Sequence, residues 1–214
     1  MVLVEACVTT LEEAEKAFES GANRLELCVN LDVGGLTPHL ELVADVLETV
    51  DLPLAVMIRP RAGSFHMNAQ ELARMERDVT RIADAGADGI VLGVLDAQGQ
   101  VDVAALSKLV DAADPVPVTF HRAFDGVADP VAALEDLIEA GVDRVLTAGG
   151  AGTAWEGRDV LASLVEAAGG RITIMAGGSI RADHVADLVE ITGVEDIHAR
   201  ASAIADLMRV VRPA

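Results

Sequence analysis

Ala85-Gly86-Ala87-Asp88-Gly89-Ile90 is a corner that this chain writes more than once. Ser20-Gly21-Ala22-Asn23-Arg24-Leu25 and Ala140-Gly141-Val142-Asp143-Arg144-Val145 repeat it, and Thr192-Gly193-Val194-Glu195-Asp196-Ile197 is a looser copy. In each, the glycine supplies the left-handed residue that ends a helix. A small apolar residue then packs, and in three of the four Asn or Asp bends the chain into an extended apolar run. A corner that recurs in this way marks successive βα units.

Reading outward from these corners, short apolar runs predict strands at 2–8, 24–29, 54–58, 89–93, 118–120, 144–147, 171–175 and 196–199. Longer amphipathic stretches alternate with them. Thr9 or Thr10 caps the first helix, Thr37-Pro38 opens the second, and a polar loop at 59–68 leads into the third. Further helices are expected at 103–112, 130–140, 154–168, 181–192 and 203–211. Eight units in 214 residues predict an α/β fold, a single compact (β/α)8 TIM barrel over residues 1–214. The competing open doubly wound sheet lacks a Gly-x-Gly-x-x-Gly after its first strand.

Composition narrows the function classes. No apolar stretch is long enough to span a bilayer, and the first seven residues carry an acid and no basic leader, so neither a membrane span nor a signal peptide is expected. Two cysteines do not make a disulfide scaffold and point to a reducing cytoplasm. A formal charge of −19, one Trp and no Tyr argue against nucleic acid and anionic membranes as partners.

The candidate site lies at the strand ends. Pro117-Val-Thr-Phe-His121-Arg122-Ala-Phe-Asp125 gathers a base, a fixed cation and a carboxylate where a strand meets a loop. Glu5-Ala6-Cys7 and Glu26-Leu27-Cys28 share a spacing that puts each acid and thiol on one strand face, away from Leu25 and Leu27. We expect Glu5, Cys7, Glu26 and Cys28 to point into the barrel, with Arg59, Arg61, Arg122 and Arg200 as cationic partners. Two inward thiols suit a soft ion such as Cu(I). Zn²⁺ needs two further ligands, for which His121 and His198 are available. Equally, a buried cysteine is often a small hydrophobe. Arg59 and Arg61 on a proline-stiffened turn suit a carboxylate or phosphate. Glycine loops carrying Thr147, Gly149 and Gly150, and Gly177 and Gly178, offer backbone N–H groups to an anion at a helix start. His121 or Glu26 then moves a proton, with Arg122 or Asp125 setting its pKa and His198 a second histidine at the mouth.

The segments 24–28, Gly34-Gly-Leu-Thr-Pro38, Met57-Ile-Arg-Pro-Arg61, 117–125, 144–147 and Ile197-His198 together resemble the CutC family over nearly the whole chain to about residue 200. The resemblance implies a cytoplasmic TIM barrel in copper homeostasis, with Cys7 and Cys28 at the positions of the Cu(I) ligands. Members of that family run further after the eighth strand. Here His198-Ala-Arg-Ala-Ser202 leads almost directly into the last helix, so a short C-terminal end and a more open mouth are expected, and a homo-oligomer stays open. Two functions remain: a Cu(I)-binding protein, and an enzyme acting on a small anionic metabolite, phosphorylated or not, at the mouth.

Overall fold

A computed structural model describes residues 2–211. Eight parallel strands close into one barrel in sequence order. They are β1 (Leu3–Val8), β2 (Arg24–Leu27), β3 (Leu54–Met57), β4 (Gly89–Leu92), β5 (Val118–Phe120), β6 (Arg144–Thr147), β7 (Thr173–Gly177) and β8 (Asp196–Arg200). The helices are α1 (Leu11–Glu19), α2 (Leu40–Thr49), α3 (Ala69–Asp84), α4 (Val103–Ala113), α5 (Pro130–Glu139), α6 (Arg158–Ala168), α7 (Val185–Thr192) and α8 (Ile204–Val211). The single TIM barrel expected from the corner repeat is therefore the fold. Among the described residues, no helix is long and apolar enough to cross a membrane.

The corners hold the strands as well as turning the chain. Gly86 has φ +96°, a conformation that side-chain-bearing residues rarely adopt. Two residues on, Asp88 accepts the backbone N–H of Leu54 at 2.9 Å and its own N–H donates to the Leu54 carbonyl. Asn23 does the same to Val4, and Asp143 to Val118. Each Asx side chain thus ties the start of the preceding strand to the corner.

Several boundaries differ from the sequence reading. Residue 171 does not begin the seventh strand, because Arg171 folds back onto the Ala167 and Ala168 carbonyls and Glu135. β7 starts two residues later, at Thr173. Thr37 does not open the second helix. Its backbone N–H donates to the Arg59 carbonyl and its hydroxyl accepts the Arg59 N–H, stapling two loops, and α2 starts at Leu40. α6 and α7 each begin four residues later than expected, after turns at 153–157 and 181–184.

Strand parity sorts the side chains. Leu25, Leu27, Val4 and Val8 join the large core between sheet and helices. Glu5, Cys7, Glu26 and Cys28 take the inner face, as expected. Cys7, Cys28, Ala55, Met57 and Val91 form a small separate cluster there.

Candidate functional site

Ionic residues fill the lower barrel interior in series. Arg144 Nε donates to Asp196 Oδ2 at 3.2 Å, and Asp196 Oδ2 also accepts from Arg24 Nη2 at 3.0 Å. Arg24 Nε pairs with Glu5. Glu5 Oε1 lies 2.9 Å from His198 Nδ1, and His198 Nε2 lies 3.3 Å from Glu26 Oε2. The partners of the inward acids are therefore Arg24, Arg144 and His198, which corrects the assignment to Arg59, Arg61, Arg122 and Arg200. The signal was present in strand parity, since Arg24 shares its strand face with Glu26 and Cys28.

This series sets the protonation of its members. Burial would raise Glu5, but the hydrogen bond from His198 and the Arg24 charge bring its carboxyl down to about 2. Burial lifts Glu26 to about 6, with the His198 charge opposing and the Glu5 charge adding. For His198, burial works downward, but the Glu26 and Glu5 carboxylates win and raise it.

Above the series the barrel opens into a cavity of about 490 Å³. Cys7, Glu26, Cys28, Met57, Arg59, Phe65, His121, Arg122, Gly178, His198 and Arg200 are among its lining. The two sulfurs lie 3.9 Å apart. Ligand atoms of Cys7, Glu26 and His198 lie within 4.8 Å of one another. The Cys7 thiol is pushed far up by its Cys28 neighbour, then by burial and by the Glu26 charge. It is therefore a protonated thiol.

Arg59 and His121 also line the cavity, both 4% exposed. Arg59 Nη1 donates to the Val33 and Gly35 carbonyls and Nη2 to the Gly63 carbonyl, and its guanidinium lies 4.7 Å over the Phe65 ring. No described carboxylate pairs with it. His121 Nδ1 accepts the Ala123 N–H at 3.2 Å, which leaves the ring proton on Nε2. Burial, and then the Arg59 charge, lowers its pKa to about 3, so the ring is neutral near pH 7. Gly93 makes the room, since a Cβ there would collide with the imidazole.

The remaining candidates sit elsewhere. Arg61 is tied to Glu71 and to the Ser64 and His66 carbonyls, away from the cavity. Asp125 fills the glycine loop after β6 with the protein's own anion. Its Oδ1 accepts from Thr147 Oγ1 at 2.5 Å, Ala148 N at 2.9 Å and Gly150 N at 3.2 Å, while Oδ2 takes Arg122 Nε at 2.7 Å. Gly149 N is taken by Thr147 Oγ1. Thr147, Gly149 and Gly150 therefore do not present a free cradle, and Asp125 is spent on the loop instead of on His121. Gly177 lies within β7, and Gly178 opens a turn, since α7 starts only at Val185. Phe65 and Gly93 were missed from sequence, because their roles appear only once the loops have folded against His121.

The CutC family model matches residues 2–203. A family protein CutC from Histophilus somni (strain 2336) is 46% identical over 195 residues, covering 91% of this chain and 80% of that protein. Its counterpart from Xanthomonas campestris pv. campestris (strain B100) is 46% identical over 198 residues, covering 92% and 82%. A crystal structure from Streptococcus agalactiae, provisionally named copper homeostasis protein CutC, superposes with a TM-score of 0.88 at 34% identity, covering 92% of this chain and 98% of that one. N-(5'-phosphoribosyl)anthranilate isomerase from Pyrococcus furiosus covers both chains fully at 16% identity and TM-score 0.66, a likeness of fold alone.

Proposed function

This chain belongs to the CutC family, and from that premise we propose that it binds Cu(I) through Cys7 and Cys28 at the mouth of the barrel, as a copper-handling protein of the cytoplasm. The observation that carries the reading is the pair of buried sulfurs 3.9 Å apart beside Glu26 and His198. Both sulfurs can reach one ion at a metal–sulfur distance of roughly 2.3 Å. Thiolates select a soft cation over Mg²⁺ or Ca²⁺.

The acids next to Cys7 support a cation. Glu5 and Glu26 disfavour a thiolate at Cys7 in the metal-free protein, and a bound positive charge inverts that balance and deprotonates the thiol. His198 offers Nε2 as a third ligand. Its Nδ1 is held by the Glu5 carboxylate, the outer contact that orients ligating histidines. Uptake of the ion releases the thiol protons, so affinity rises with pH. The relative from Streptococcus agalactiae carries copper homeostasis in its name, which agrees with this reading.

The test is competition for Cu(I) between the reduced protein and a strong chelator. The reading expects one ion per chain, lost in Cys7→Ser/Cys28→Ser and retained in His121→Asn. Affinity unchanged by the double substitution would remove the thiols from the site.

A further inference from the structure

Among the described residues, three buried side-chain polar atoms have no hydrogen-bond partner: Glu26 Oε1, Arg59 Nε and His121 Nε2. All three residues line the one cavity at the barrel mouth. Buried polar groups are nearly always paired, and an exception calls for an explanation. Two of these atoms are N–H donors and one is a carboxylate oxygen. Copper coordination by the thiols uses neither donor.

Charge points the same way. The chain carries 35 acids against 16 Lys and Arg. The charged residues lining the cavity are Glu26 against Arg59, Arg122 and Arg200, so the balance is reversed there. Arg59 is fixed by three bonds from its Nη atoms to loop carbonyls, which leaves Nε unpartnered.

We infer that the Arg59 Nε–H and His121 Nε2–H groups form a seat for the carboxylate of a small hydroxycarboxylic acid whose hydroxyl donates to Glu26 Oε1. The unpartnered atoms offer such a ligand two donors for the anionic end and one acceptor for the hydroxyl. A cavity of about 490 Å³ is sized for a small molecule. Phosphate is the poorer fit. The glycine loop that would cradle it already holds Asp125, and Arg61 is spent on Glu71. The seat shares Glu26 with the surroundings of the thiols but uses neither sulfur, so it survives failure of the copper reading.

Isothermal titration of the reduced, metal-free full chain with L-lactate and with glycolate tests the seat, with inorganic phosphate and ethanol as controls. The same titration on Cys7→Ser/Cys28→Ser separates it from metal binding, and L-lactate binding there is expected to persist. His121→Asn keeps an acceptor for the Ala123 N–H but removes the Nε2 donor, and should weaken L-lactate binding about 10- to 100-fold. His121→Gln reaches the Nε2 position and should restore binding to within about threefold of the wild-type protein. In the wild-type protein the His121 Nε2–H nitrogen resonance should move on addition of L-lactate, a readout that needs no substitution. The inference is overturned by absence of binding for both hydroxycarboxylates up to about 10 mM. It is equally overturned by an unmoved His121 resonance, or by phosphate binding more tightly than either acid.

Discussion

Replacing Asp125 with alanine should unfold more than a surface loop. The carboxylate accepts one hydrogen bond from Thr147 at the end of β6, two from the loop after it and one from Arg122. A hydrogen bond to a charged group contributes about 1.5–3 kcal/mol, and a bridge as exposed as that to Arg122 at most about 1 kcal/mol. Water can reach part of the vacated loop and the contributions are not additive, so we expect a net loss of about 3–5 kcal/mol. For a chain of this length that is a fall in Tm of about 10 °C. Urea unfolding followed by the fluorescence of Trp155, which lies in the turn that follows the loop, gives the number. An unchanged denaturant slope would show that the native state alone was weakened. Inorganic phosphate should recover part of the loss in Asp125→Ala by taking the carboxylate's place, and should do little for the wild-type protein. A loss below about 1 kcal/mol, or equal stabilisation of both proteins by phosphate, would refute the view that this loop is filled by the chain's own anion.

Three further outcomes follow from the same geometry. Arg24→Met leaves Glu5 and Asp196 buried without their shared cation and should cost about 3–5 kcal/mol by thermal unfolding, and a change under 1 kcal/mol would contradict the series described above. His121 has a folded pKa of about 3 against an ordinary 6.5, so it favours the fold in its neutral form: its contribution is complete above pH 6.5 and is lost as pH falls toward 3. The stability difference between wild type and His121→Asn should therefore shrink below pH 6.5 by up to about 1.4 kcal/mol per pH unit, and a difference constant from pH 7 to 5 would contradict a buried neutral ring. Gly93→Ala drives a methyl into that ring and should cost about 1–3 kcal/mol and weaken L-lactate binding in the same titration, whereas retention of both would mean the imidazole has room to move.

The barrel was legible because its signals are local. A glycine at a helix end and an Asx two residues later sit within one corner, and their recurrence counts the units. The inward facing of Glu5, Cys7, Glu26 and Cys28 was legible for a similar reason, since alternation along a strand needs no knowledge of its neighbours. What stayed hidden depends on contacts distant in sequence. Asp125 follows Arg122 closely and reads as its partner or as a tuner of His121. Its carboxylate also reaches Thr147, 22 residues on, and that contact decides its role. Arg24 shares its strand face with Glu26, but its partner is set only when the closed barrel brings Asp196 within 3.0 Å of it. The glycines at 149 and 150 have positive φ, so backbone geometry accounts for them without a bound phosphate.

The central claim is that a soft ion sits on two sulfurs. X-ray absorption at the copper edge of the protein loaded with one equivalent of Cu(I) reads the ligands directly. The account predicts two sulfur neighbours with one lighter atom from His198, and loss of the sulfur shell in Cys7→Ser/Cys28→Ser. A copper environment of nitrogen and oxygen alone in the wild-type protein would contradict it, and would leave Cys7 and Cys28 as packing residues beneath a cavity built for an organic anion.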